Sequence, residues 1–95
     1  MSSYIVGHIR VKDAEKWMQY KSQVPATLQE WNAELMFRAR KVGTFSGQLD
    51  YDDMVVIRFP DQQNVNGWFH SDEYQALIPL RTEAADMLLL AYDEA

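Results

Sequence analysis

The sequence predicts an α+β domain of order strand, helix, strand, strand, helix, strand, folded as a four-stranded antiparallel sheet with two main helices on one face. Three observations carry this. Stretches 4–11, 34–47 and 53–59 are rich in β-branched and aromatic residues and alternate with period two. Between them, Trp17, Tyr20, Val24, Leu28 and Trp31 recur at helical steps of three and four. Asp13, Asp61 and Ser71 stand where helix N-caps are needed.

In "YIVGHIRV" (4–11), Ile5, Gly7, Ile9 and Val11 share one face and Val6, His8 and Arg10 the other, which describes a first strand. After Asp13 the periodic run predicts an amphipathic helix of about five turns, bent at Pro25 where a backbone donor is missing. "ELMFRARKVGTFSG" (34–47) and "DMVVIRF" (53–59) then read as a hairpin closed through "SGQLDYDD". A second helix starts after Pro60 with Asp61 as its cap, is capped again by Ser71 with Asp72 and Glu73 behind it, and cannot run undisturbed past Pro79. "MLLLAYD" supplies the last strand. This is the split βαβ, ferredoxin-like pattern, with residues 1–95 as a single domain.

The two sheet faces differ. Ile5, Ile9, Val11, Leu35, Phe37, Val55, Ile57 and Phe59 form an apolar set expected beneath the helices. The opposite set mixes Val6, Met36, Met54 and Val56 with His8, Arg10, Arg38 and Arg58, too apolar for open solvent and too charged for a dry core. A second sheet across a partly wet interface satisfies both, so the expected assembly is a homodimer packed sheet to sheet.

At 95 residues with 47% apolar side chains, three Trp, five Tyr and four Phe, the chain can build one core. A domain this small hides only about two thirds of its unfolded surface. No cysteine is present, which removes disulfides, thiolate metal sites and a cysteine nucleophile. The net charge of −5, from 14 acidic and nine basic residues without a basic block, argues against nucleic acid and anionic membranes as partners. The longest apolar run, "MLLLAY", falls far short of the roughly 20 residues of a spanning helix. "MSSYIVGH" lacks the basic and apolar regions of a leader, so the expected location is the cytoplasm.

"DAEKWMQY", "MFRARKVGTFSG", "VVIRFP" and "WFHSDEYQALIPLR" resemble successive motifs of the domain-of-unknown-function 1330 family, part of the dimeric α/β barrel superfamily. The resemblance spans nearly the whole chain and is most specific at the Ser71, Tyr74, Arg81 spacing after Trp68 and Phe69. This chain departs from the family pattern at Trp17, where a tyrosine is usual, at Asp72, where a proline is usual, and at Ala39 and Arg40, which replace a glycine pair. The resemblance implies a ferredoxin-like fold and a sheet-to-sheet dimer. It implies no established reaction, although several relatives in the superfamily are cofactor-free isomerases, decarboxylases or monooxygenases.

Six side chains are candidates for a site. Arg81 shares a helical stripe with Tyr74 and Leu77. It is either an anion clamp, with the Tyr74 hydroxyl as second donor, or a structural cation paired with Glu83, Asp86 or Glu30 or capping carbonyls freed by Pro79. His70, beside Trp68 and Phe69, is either a general base at the aromatic wall of a pocket or an exposed histidine at a helix junction. His8 is either a base within the dimer or a hydrogen-bonded interface residue. Arg38, with Arg58 on the same face, either binds an anion or pairs with acids across the dimer. Trp17, Tyr20 and Trp31 read as core. Neither histidine has a second ligand at metal spacing, "DYDD" reads as a solvated turn, and no nucleotide or serine-hydrolase motif is present, so no metal or cofactor is expected. The function classes left are a cofactor-free enzyme acting on a small organic acid or aromatic metabolite, a non-catalytic binder of such a ligand, and a structural dimer.

Overall fold

The computed structural model describes residues Met1–Ala95. Its strands are β1 (Ser3–Val11), β2 (Glu34–Arg40), β3 (Asp53–Phe59) and β4 (Ala85–Asp93), and its helices are α1 (Ala14–Leu28), α2 (Gln62–His70), α3 (Asp72–Gln75) and α4 (Ile78–Ala84). The strands form one antiparallel sheet in the order β2-β3-β1-β4, as the ferredoxin-like reading requires.

The expected caps are in place. Asp13 accepts from the Lys16 amide at 3.1 Å and opens α1, which runs through Pro25 and tightens into a 3₁₀ turn at Gln29–Trp31. Asn32 ends that turn in the left-handed conformation (φ 52°), which asparagine tolerates better than most residues. Asp61 accepts from the Asn64 amide at 2.8 Å. No helix is long and apolar enough to cross a membrane.

Beneath the helices lie Ile5, Ile9, Val55, Ile57 and Phe59, joined by Trp17, Tyr20, Val24 and Leu28 of α1 and by Val65, Trp68, Tyr74 and Leu77. Close approach of α2 to the 3₁₀ turn needs Gly67, since a Cβ there would come within 2.3 Å of the Trp31 ring. The indole Nε1 of Trp68 donates to Thr27 Oγ1 at 3.0 Å, so a tryptophan in the driest part of the core keeps its polar atom paired.

Three expectations need correction. Residues 41–47 continue as a loop, because β2 ends at Arg40. The second helical region is three helices, and Pro79 sits in the first turn of α4, where its missing amide costs nothing and its fixed φ favours the helix. The third concerns the sheet faces. Leu35 pairs with Ile57 but Phe37 pairs with Val56, so a bulge at Met36 adds a residue to β2 and reverses which side follows it. Phe37 is therefore 51% exposed on the open face instead of lying under the helices. Arg38, opposite Val55, moves the other way and leaves Arg58 on the far side of the sheet. Arg58 pairs within its own chain, donating to Glu34 at 3.1 Å.

Candidate functional site between the helices and the sheet

Tyr74 is held from three directions. Ser71 Oγ donates to the Trp68 carbonyl at 2.6 Å and accepts from the Tyr74 amide at 3.2 Å, closing α2 and opening α3 with one hydroxyl. The Tyr74 ring lies 4.2 Å from Trp68 and 5.7 Å from Phe69, centroid to centroid. Backbone bonds from Leu77 to Tyr74 (2.9 Å) and from Arg81 to Leu77 (2.9 Å) carry the chain through Pro79 with the stripe unbroken. At the far end of α4, the Ala84 carbonyl accepts from the amides of Lys12 and Asp13, which ties the helix to β1.

Arg81 Nη1 therefore reaches Tyr74 Oη at 2.8 Å. It makes no salt bridge, so the pairing with Glu83, Asp86 or Glu30 does not occur; Asp86 pairs instead with Arg10 and Lys12, and Glu83 with Lys16. Tyr74 Oη also lies 2.8 Å from Tyr20 Oη. The two phenols own two hydroxyl protons. One forms the bond between them, and neither hydroxyl has an acceptor elsewhere in the protein, so one O–H remains to donate. Burial, followed by the neighbouring Tyr74, pushes the Tyr20 phenol well above its ordinary range and keeps it protonated.

This pair lines a narrow cavity of about 20 Å³ with Trp17, Trp68, Arg38 and Met87. That is room for one water or one ligand oxygen. Two wider clefts adjoin it. One, of about 340 Å³, shares Trp17 and Arg38 with the narrow cavity and adds Lys21, Arg40, Asp53 and Met54. The other, of about 290 Å³, shares Met87 and Leu89 and brings Phe69 and Arg81 to the opposite side. The Arg38 side chain stands at the mouth. Partial loss of water around its guanidinium lowers its pKa, and Tyr20 and Asp53 oppose that shift.

The structure thus brings together four residues, Arg38, Trp68, Tyr74 and Arg81, which the sequence reading had placed on two different surfaces. The histidines lie elsewhere. His70 is exposed at the end of α2 with Nδ1 2.9 Å from the Asn66 carbonyl, and His8 stands on the open sheet face 6.4 Å from Tyr51. Tyr20 lies in the core, as its spacing predicts, and the sequence does not single out Lys21; a phenol at core spacing on α1 carries no local sign that its hydroxyl meets Tyr74. No group of three or more His, Asp or Glu gathers at metal-ligand spacing.

Similar structures share this architecture at low identity. RPA0582, a protein of unknown function from Rhodopseudomonas palustris, aligns with TM-score 0.82 at 12% identity over 99% of this chain and 82% of its own. A dimeric ferredoxin-like protein of unknown function from Jannaschia sp. CCS1 aligns with TM-score 0.76 at 9% identity over 99% and 100%. SnoaB, a cofactor-independent oxygenase from Streptomyces nogalater, aligns with TM-score 0.73 at 6% identity over 99% and 93%. No curated protein matches. The family model for the domain of unknown function DUF1330 matches residues 2–94, and with the motifs around Tyr74 and Arg81 now in their structural setting, the chain belongs to the DUF1330 family.

Proposed function

We propose that this protein is a cofactor-free enzyme that holds negative charge on an oxygen of a small aromatic or enolisable acid, bound between the helices and the sheet. The observation that carries this reading is the unspent hydroxyl of the Tyr20–Tyr74 pair, with Arg81 donating to Tyr74 from behind and Arg38 at the mouth. A fixed donor in a water-poor cavity, backed by a cation, stabilises a developing enolate or phenolate more than its neutral parent, which is the condition for catalysis rather than uniform binding. Tyr20, kept neutral, serves as a donor and not as a base. With no histidine at the cavity, water in an adjoining cleft is the base that accepts the substrate proton. Isomerisation and cofactor-free oxygenation open with loss of a proton to give an enolate or phenolate, and decarboxylation generates an enolate as the C–C bond to CO2 breaks. SnoaB, a cofactor-independent oxygenase, is built on this fold, and fold likeness supplies no more than the reaction class to test first.

The same reading includes a homodimer joined through the open sheet face. Across that face Phe37, Val56, Val6 and Leu90 stand in one row and Ala39, Met54, His8 and Leu88 in the next. The pairs Arg58–Glu34 and Arg10–Asp86 flank these rows. An apolar centre with a charged rim is the anatomy of a protein interface. The Jannaschia neighbour is described as dimeric.

One observation favours a second reading, a binder without turnover: neither histidine lines the cavity or its two adjoining clefts. Thermal shifts of the parent, Arg81→Ala and Tyr74→Phe against small carboxylic and phenolic acids, followed by oxygen uptake and absorbance assays on the acids that bind, separate the two. A ligand at 100 times its Kd adds about 2.7 kcal/mol. Stabilisation and turnover in the parent, both lost in the variants, support the enzyme; stabilisation without turnover supports the binder; equal binding by parent and variants overturns the site.

A further inference from the structure

In a chain of net charge −5, the wide cleft at the β2 edge is lined by three cations, Lys21, Arg38 and Arg40, and by a single acid, Asp53. Asp53 lies 3.7 Å from Arg40 Nε and its charge also acts on Arg38, while neither Lys21 nor Arg38 forms a salt bridge. Two cations without a salt-bridge partner beside Trp17 and Met54 give the cleft a positive potential that favours an anion there. The planar fork of Arg38 suits a carboxylate, with the Lys21 ammonium as a second point charge.

Volume decides what else the ligand carries. The cavity at the tyrosine pair admits one oxygen atom, whereas the cleft of about 340 Å³ accommodates an aromatic ring. Trp17 and Arg38 border both spaces, so the cleft with the cations and the cavity lined by Tyr20 and Tyr74 are neighbours that one ring-bearing ligand can span. We infer that Lys21 and Arg38 form a carboxylate subsite, and that the ligand is a single-ring aromatic acid whose phenolic or enolic oxygen, remote from the carboxylate, enters the tyrosine cavity. This inference rests on the proposed oxyanion site and adds its substrate class.

The test measures Kd by calorimetry for 4-hydroxybenzoate, benzoate and phenol with the parent, Lys21→Gln, Arg38→Gln and Tyr74→Phe. In the parent, 4-hydroxybenzoate binds tightest. Loss of Lys21 weakens both acids roughly tenfold or more and leaves phenol unchanged; loss of Arg38, which also borders the tyrosine cavity, weakens both acids more than it weakens phenol, while Tyr74→Phe weakens 4-hydroxybenzoate and phenol and spares benzoate. Lys21 and Arg38 both reach solvent, and unchanged melting curves show that these variants stay folded. Acids that bind both cation variants as tightly as the parent, or a parent that prefers phenol to 4-hydroxybenzoate, overturn the subsite. Acid binding in the expected pattern without turnover removes the catalytic reading and keeps the subsite. Turnover that depends on Tyr74 and Arg81 but not on Lys21 does the reverse.

Discussion

Arg81 ends on a phenol: its Nη1 donates to Tyr74 Oη at 2.8 Å, and that oxygen is shared at 2.8 Å with Tyr20. Three groups from two distant parts of the chain thus form one line of hydrogen bonds without a carboxylate.

The line makes a specific claim about non-additivity. Tyr74→Phe leaves the hydroxyl of Tyr20, a residue only 4% exposed, without a partner, and is expected to cost about 1–3 kcal/mol. The double variant Tyr20→Phe, Tyr74→Phe removes both polar groups and should cost less than the two single changes added together. Urea denaturation of the four proteins measures this, and strictly additive losses would show that the hydroxyls are not coupled.

Thr27 is a second test of polar pairing in the core. Its Oγ1 accepts from Trp68 Nε1 at 3.0 Å and donates to the Val24 carbonyl at 2.7 Å, one residue before Pro25. Thr27→Val keeps the volume and strands the indole donor, an expected loss of about 1–3 kcal/mol. At about 4–8 °C per kcal/mol for a domain of this size the lower Tm is easily read by calorimetry. An unchanged Tm would mean that the indole finds another acceptor.

Gly67→Ala is expected to destabilise by about 1–3 kcal/mol, because the added methyl meets three atoms of the Trp31 ring within 2.9 Å and one of the two elements must move. Gly43→Ala, with nothing within 4 Å, is the control and should be nearly neutral. Equal melting temperatures for the two variants would contradict the close packing of α2 on the 3₁₀ turn.

Alkaline pH should unfold the protein through Tyr20. The unfolded chain ionises this phenol near pH 10, whereas burial raises the pKa in the folded state. Below about pH 10 both states are neutral and the full stabilisation is present. As pH rises beyond that, the unfolded state releases a proton that the folded state retains, and stability falls until the folded pKa is passed. Tm measured from about pH 8 to about pH 11 should decline in the parent and decline less steeply in Tyr20→Phe. Parallel curves would assign the alkaline loss to other groups.

Assembly has its own probe at Val56, which stands between Phe37 and Val6 in the apolar row of the open face. Val56→Lys places a charge in the centre of the proposed interface and should shift the sedimentation mass from two chains to one while the secondary structure persists. A parent that already sediments as one chain at micromolar concentration would refute the dimer.

Much of the fold was legible because its signals are local. Asp13, Asp61 and Ser71 announce helix starts through bonds to amides three residues away, and Ile5, Ile9, Val55, Ile57 and Phe59 show the period of a half-buried sheet. The stripe from Tyr74 through Leu77 to Arg81 was readable for the same reason, since its geometry lies within a few turns of one segment. A disturbance near Pro79 was legible, but not that the proline opens α4, because a proline ends one helix and begins another with equal ease, and which it does here depends on the turn at Ala76 and Leu77.

By itself, then, the sequence determined the element order, the caps, most of the buried set and the stripe that Tyr74 shares with Arg81. Only the tertiary structure decided the side of the sheet on which Arg38 stands, because the bulge at Met36 is a mismatch between β2 and β3 and belongs to neither strand alone. Only the tertiary structure joined Tyr20 to Tyr74, 54 positions apart in the chain, since helices α1 and α3 meet through packing over the sheet and no local pattern records which hydroxyls that packing brings together.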